Sequence, residues 1–447
     1  MSSSAGQTIP AGQTTSAHAG IGTGPRLGHV PDPPADVATQ NGVTATADPA
    51  ALDAADPLAS FRHRFVIPEP ALIYLDGNSL GRPPLASLER LARIASEEWA
   101  GELVRGWEHW LDEPLRVGNL LGTALLGARE DEVAICDSTT VNFYRLASAA
   151  LEARPGRRFI VTDRANFPTD RYVLEGLARD RDREIAWLDP DPVEGPTTDD
   201  VTAALESHLG DVALVTLSHV NYRSAAIADL AAITRLAHDA GALVLWDLSH
   251  SAGAIPVELA AAGVDLAVGC TYKYLNGGPG APAYLSVRSD LQSELRNPIQ
   301  GWFGQTDQFE MGQGFRPRPS IAGWLTGTPG MLGLAAAEQG VRLSADAGIG
   351  RIRAKGVALT EYAIARFDTR LAPLGFELGS PRDADRRGAH VSIRRSDARE
   401  LTQRMIAAQI IPDFRAPDSI RLGLSPLTTT FGDVHRAIEG IAALAES

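Results

Sequence analysis

Apolar residues along the chain fall into two rhythms, and their order predicts the architecture. Residues 159–161, 212–217, 242–246 and 264–269 are short, nearly unbroken apolar runs, the pattern of strands covered on both faces. Residues 228–240, between the second and third runs, carry apolar positions at helical spacing. Strand, helix, strand at that spacing predicts a βαβ unit and a largely parallel sheet. Beyond about Gly340 the rhythm changes to a long helix over 351–372, a strand over 389–393, and helices near 399–408 and 434–444. That order predicts a small α+β carboxyl-terminal domain. The division is expected within 344–350, giving a large domain over 58–345, which also holds an amino-terminal piece of the small one, and a small domain over 346–447.

Composition narrows the picture. No aromatic residue precedes Phe61, and the early chain is dominated by Ala, Gly, Ser, Thr, Pro and Asp, so residues 1–57 are expected to form a disordered tail. That stretch has neither the basic start and apolar middle of a signal peptide nor the arginines of a transit peptide. A formal net charge of −14 argues against a nucleic-acid partner. No apolar run approaches the ~20 residues of a membrane helix. Cys136 and Cys270 lie in strand-like runs and form no zinc pattern, so reduced, buried thiols in a cytoplasmic protein are expected and no metal is.

Lysine is almost absent: of 41 basic residues, only Lys273 and Lys355 are lysines. Arginine replaces lysine for solubility but stays protonated, whereas an ε-amine can act as a nucleophile. Lys273 follows the run 264–270 within Thr271-Tyr272-Lys273-Tyr274-Leu275-Asn276-Gly277-Gly278-Pro279-Gly280, at the expected carboxyl edge of the sheet, where open α/β folds bind ligands. The run 242–246 ends in Asp247-Leu248-Ser249-His250, which brings Asp247 to the same edge, with room for one helix between the two strands. A lysine and an acid there fit a plain ion pair. They also fit pyridoxal phosphate, which takes an amine for its imine and a carboxylate for its ring nitrogen. His250 alone is as readily structural. At Asp137-Ser138-Thr139-Thr140 a strand over 133–136 turns into a helix over 141–151, so Thr139 and Thr140 either cap that helix or bind a phosphate at its start.

Leu75-Asp76-Gly77-Asn78-Ser79-Leu80-Gly81, Phe167-Pro168-Thr169-Asp170, Trp246 to Gly253, Thr271 to Gly280 and Gly301-Trp302-Phe303-Gly304 together resemble the kynureninase family, from about Pro57 to the carboxyl end. The resemblance implies a homodimeric fold-type-I pyridoxal phosphate enzyme, related to class V aminotransferases. Its mostly parallel seven-stranded sheet lies between helices, beside a small α+β domain. It implies hydrolysis of L-kynurenine, or 3-hydroxy-L-kynurenine, to the anthranilate and L-alanine, in tryptophan catabolism by the kynurenine pathway toward NAD. Lys273 would hold the cofactor covalently and Tyr272 would contact its phosphate and serve in proton transfer. Asp247 would hold the ring nitrogen, with His250 beside it, Asp170 near the ring and Phe167 stacked on its face. Thr139, Thr140 and Ser218 would surround phosphate and ring, and Trp302 and Thr328 would reach the phosphate from the other subunit. Ile420-Arg421-Leu422-Gly423 resembles the family's carboxylate-binding arginine, and Asn78, Ser79 and Trp107 resemble its aryl pocket.

The sequence departs from that family at Gly330, where a second proline is commoner, and at Gln305-Thr306, where a histidine is usual. These departures leave a modified kynurenine of secondary metabolism as an alternative substrate. A cysteine desulfurase or selenocysteine lyase would require a late catalytic cysteine, and none follows Cys270. A cofactor-sensing regulator would require a basic DNA-binding segment before residue 60, which the composition lacks.

Overall fold

The structure, a computed structural model, describes residues 44–447. The chain enters through a helix, Pro49–Ala55, whose start is fixed by Asp48: its carboxylate accepts the Ala50 amide at 3.1 Å, and Pro49 occupies the first turn. This helix docks on the last one, Phe431–Glu446, where Asp53 accepts the free amides of Phe431 and Gly432 at 2.7 and 3.0 Å. One residue past it, Asp56 pairs with Lys355 at 2.6 Å, both side chains buried. Residues 44–57 are therefore structured, against the expectation of a tail through 57. The rest of that expectation, residues 1–43, lies outside the described residues. The segment has too little apolar surface to fold alone, and it is ordered instead by carboxylates that meet orphaned amides and a buried amine.

Strand β1 (Ile73–Tyr74) follows. The large sheet contains β2 (Val133–Ile135), β3 (Phe159–Asp163), β4 (Glu184–Leu188), β5 (Val212–Ser218), β6 (Leu243–Asp247), β7 (Leu266–Gly269) and β8 (Tyr284–Val287), in the order β2-β8-β7-β6-β5-β3-β4. Only β8 runs against its neighbours. Successive residues of β6 serve opposite cores: Leu243 and Leu245 pack on one face, Val244 and Trp246 on the other. Double-sided burial explains why these strands read as unbroken apolar runs.

Two expectations about connections fail. The crossover from β6 to β7 contains turns and no helix. Gly253 and Gly263 stand at φ +78° and +68°, and Pro256 lies between them. A side chain on Gly253 would meet Leu275 at 2.9 Å, so the turn is pressed against the segment after Lys273. The other failure concerns the helix expected over 141–151, which spans Thr139–Glu152 and is capped by Ser138, whose hydroxyl accepts the Val141 amide. Thr139 and Thr140 therefore occupy the first turn rather than the cap.

Helices Met331–Ala347 and Ile349–Arg370 meet at Gly348, φ +79°, and the chain then builds the small domain. Its strands are β9 (Glu377–Leu378), β10 (His390–Arg394), β11 (Ile410–Ile411), β12 (Asp413–Arg415) and β13 (Ser419–Gly423). Four of them form an antiparallel sheet in the order β12-β13-β10-β9, while β11 pairs in parallel with β1. Among the described residues, no helix is long and apolar enough to cross a membrane.

Candidate active site

Register puts the chemistry on one edge of the large sheet. Ser218 ends β5 directly beside Asp247, which ends β6, and Asp247 pairs with Val268 of β7, five residues before Lys273. A loop over residues 76–81 closes against the lysine turn from the other side: the Gly81 amide donates to the Tyr272 carbonyl at 2.8 Å. Only glycine allows this approach, because a Cβ at Gly81 would lie 2.4 Å from the Lys273 carbonyl oxygen.

These elements enclose a cavity of about 280 Å³. It is lined by Asn78, Ser79, Thr139, Thr140, Phe167, Asp170, Ser218, Asp247, His250, Tyr272, Lys273 and Arg421, all singled out from the sequence. Trp107, Trp302 and Thr328 are not on its wall. The Trp107 indole is engaged edge-on with Trp110 at 5.4 Å and Phe303 at 6.2 Å, so within its own chain it packs off the cavity wall. Trp302 is 39% exposed, and Thr328 lines a separate hollow of about 520 Å³ with Asp137 and Gly280.

Inside the cavity, Lys273 Nζ lies 2.9 Å from His250 Nε2 and 5.8 Å from the centre of the Phe167 ring. Burial first, and then the Lys273 charge, hold the His250 imidazole well below its ordinary value. A neutral ring whose Nε2 accepts from the amine follows, and its buried Nδ1 has no partner among the described residues. Asp247 accepts the Ser249 amide at 2.7 Å. Beside it, burial first and then the charge of Asp247 push the Asp170 carboxyl well above its ordinary value. The Cys270 thiol beside Tyr272, followed by burial, raises its phenol, which therefore keeps its proton at neutral pH. Arg421, 1% exposed, donates to the Tyr222 carbonyl and to Ser79 Oγ at 3.1 Å, and pairs with Asp413.

Several participants left little trace in the sequence. Asn166 Oδ1 accepts both the Ser218 hydroxyl at 2.6 Å and the Phe167 amide at 2.8 Å, which fixes two cavity residues at once. An Asn shortly before a Pro-initiated helix was a readable turn signal. Tyr222 meets Phe167 edge-on at 5.3 Å, and Arg415 lines the cavity near Arg421, with nothing to distinguish it among so many arginines.

The donor set fits pyridoxal phosphate. An amine, a buried carboxylate at a strand end, an aromatic face, and hydroxyls in the first turn of a 14-residue helix stand around one space. Asp170 Oδ2, His250 Nδ1 and both polar atoms of the Asn78 side chain are buried without hydrogen-bond partners among the described residues, as expected of walls that await a polar ligand. Asp137, the acid nearest that helix start, is neutralised by buried Arg145 at 3.1 Å.

Comparison with known proteins agrees with this arrangement. Residues 352–441 match the kynureninase C-terminal domain family. The chain is 42% identical over 403 residues to a kynureninase of Pseudomonas fluorescens, covering 89% of this chain and 94% of that one. It is 42% identical over 398 residues to a kynureninase of Burkholderia mallei strain SAVP1, covering 87% and 92%. Among solved structures, cysteine desulfurases of Thermococcus onnurineus and Escherichia coli superpose with a TM-score of 0.73 at 17% identity. The former covers 90% of this chain and 98% of its own, the latter 87% and 98%, and at that identity they speak for the fold alone. With the lysine, its acid partner and a buried arginine on one cavity, and with nine-tenths of the chain aligned to its relatives, the chain belongs to the kynureninase family.

Proposed function

We propose that this protein hydrolyses L-kynurenine to anthranilate and L-alanine, with pyridoxal phosphate as cofactor. The observation that carries the reading is the convergence of Lys273, Asp247 and Arg421 on one cavity. When bound, the cofactor supplies an aldehyde for amines and a protonated pyridine ring that takes up electrons.

Each residue then has a physical task. Lys273 would hold the cofactor, and its Nζ, which lies 2.9 Å from His250 Nε2, would take the Cα proton of a bound amino acid. Asp247 would accept the ring N–H of the cofactor, with Asp170 beside it near the ring. Phe167 would cover one ring face, amides and hydroxyls of Thr139 and Thr140 would take the phosphate, and the Tyr272 phenol would donate to it. Arg421 grips the α-carboxylate and so fixes the direction of the Cα–H bond. Water adds to the γ-carbonyl and the Cβ–Cγ bond breaks to release anthranilate; the electron pair stays with Cβ, and a proton is added at Cβ and another returned to Cα to give L-alanine. Asn78 and Ser79 border the aryl side.

We further read the active unit as a cytoplasmic homodimer in tryptophan catabolism. Trp302 and Thr328 lie outside the cavity of their own chain, which suits a role in the other subunit's site. The two cysteines are free and buried, in keeping with a reducing compartment. The test supplies the holoenzyme with L-kynurenine and 3-hydroxy-L-kynurenine and follows anthranilate fluorescence and cofactor absorbance. Fluorescent product from L-kynurenine is expected. A cofactor band without either aromatic product overturns the substrate assignment.

A further inference from the structure

Arg421 is already engaged before any substrate arrives. Its Nη1 donates to the Tyr222 carbonyl, and its Nη2 meets Ser79 Oγ and the Asp413 carboxylate. Both Nη groups are thus committed, and among the described residues only the buried Nε–H lacks a hydrogen-bond partner, too little for a bidentate carboxylate. Asp413 stands directly opposite Arg421 in the β12–β13 ladder, and Arg415, two residues along β12, points to the same side. The same Asp413 oxygen that meets Arg421 lies 2.9 Å from Arg415 Nε. One carboxylate is thus shared by two guanidiniums, and both line the cavity. Arg421 is buried, while Arg415 is 36% exposed, and among the described residues its Nη groups have no hydrogen-bond partner.

We propose that Asp413 occupies the place of the substrate's α-carboxylate on Arg421 and transfers to Arg415 when the amino acid binds, so that recognition of the α-carboxylate is an exchange of anions. This rests on the reading that Arg421 takes that carboxylate. The exchange keeps both guanidiniums paired throughout, whereas a vacant arginine would leave an uncompensated buried charge. An internal competitor lowers the apparent affinity for every amino acid by the fraction of time that Arg421 is occupied. It also sets specificity: an amine without an α-carboxylate has nothing to offer in place of Asp413.

The sign of one change decides the matter. In the holoenzyme, titrated with L-alanine while the cofactor absorbance is followed, Asp413→Asn removes the competitor, and Kd is expected to fall about tenfold. Decarboxylated kynurenine is expected to bind no better to this variant. Arg415→Gln strands Asp413 on Arg421 and raises Kd for L-alanine, and the double variant returns toward the Asp413→Asn value. If Asp413 merely orients Arg421, Asp413→Asn instead raises Kd, and the exchange is overturned. It is equally overturned if Arg415→Gln leaves Kd unchanged, a result that can be read even if Asp413→Asn does not fold. Failure of the wild type to produce anthranilate sinks the kynurenine reading alone, because L-alanine reports the exchange for any α-amino acid.

Discussion

The two lysines of this chain occupy opposite kinds of place. Lys273 faces an open cavity, and its nearest polar neighbour is an uncharged imidazole. Lys355 is buried at the joint between the amino-terminal segment and the small domain, and a carboxylate 2.6 Å away neutralises it. A sequence that otherwise writes its cations as arginine kept lysine once for reactivity and once for fit. A compact ammonium is satisfied by a single acid in a narrow slot, while a guanidinium brings five donors that must each find a partner. Rarity of a residue type therefore marks constraint, and the surroundings say which kind.

The sharpest way to break this contrast is substitution at both positions. Lys273→Ala should cost at least about 10²–10⁴ in turnover from the lost proton transfer alone, read by anthranilate fluorescence. The melting temperature of the cofactor-free protein should barely move. Asp56→Ala should do the reverse, because it strands a buried ammonium: about 3–5 kcal/mol of stability lost in urea unfolding, with turnover per folded molecule kept. Loss of turnover in folded Asp56→Ala would show that the joint serves the chemistry directly.

Acid probes the buried side of the sheet end behind the cavity, where His219 Nδ1 lies 3.0 Å from Ser251 Oγ. Burial first, then Arg353, lowers the His219 imidazole to about 4, below its ordinary value. A depressed folded value means that the neutral form's stabilisation is full above pH 6.5 and is lost as pH falls toward 4, roughly 3 kcal/mol in all. His219→Gln should flatten that part of the stability profile; an unchanged acid limb would assign it elsewhere. Lys355→Arg, which overfills its slot, should cost about 1–3 kcal/mol with activity intact. The smallest effect expected is from Asp53→Ala, which leaves the Phe431 and Gly432 amides of the last helix without their acceptor while the Thr430–Asp433 capping box stays, at about 1 kcal/mol, seen as a small drop in melting temperature.

Legibility in the sequence followed the same division. The parallel strands were readable because both faces are buried, and Lys273 and Asp247 because strand ends carry them to a known edge. Strand β4 was missed since it begins with Glu184 and is only partly covered, and β8 since its direction depends on neighbours distant in sequence. Asp413, Arg415 and Arg421 come together only through strand pairing, and Asn166 acts through hydrogen bonds to two other residues. Residues 44–57 looked structureless because what orders them is polar and lies at the far end of the chain.

That last distance has a consequence for synthesis. Asp53 and the amide it caps are 378 residues apart. At roughly 5–20 residues per second on the ribosome, the amino-terminal helix emerges and then waits roughly 20–75 s for its partner to exist. During that interval it is a bare, acidic, protease-accessible segment. Completion of the small domain thus waits on the synthesis of the helix Phe431–Glu446.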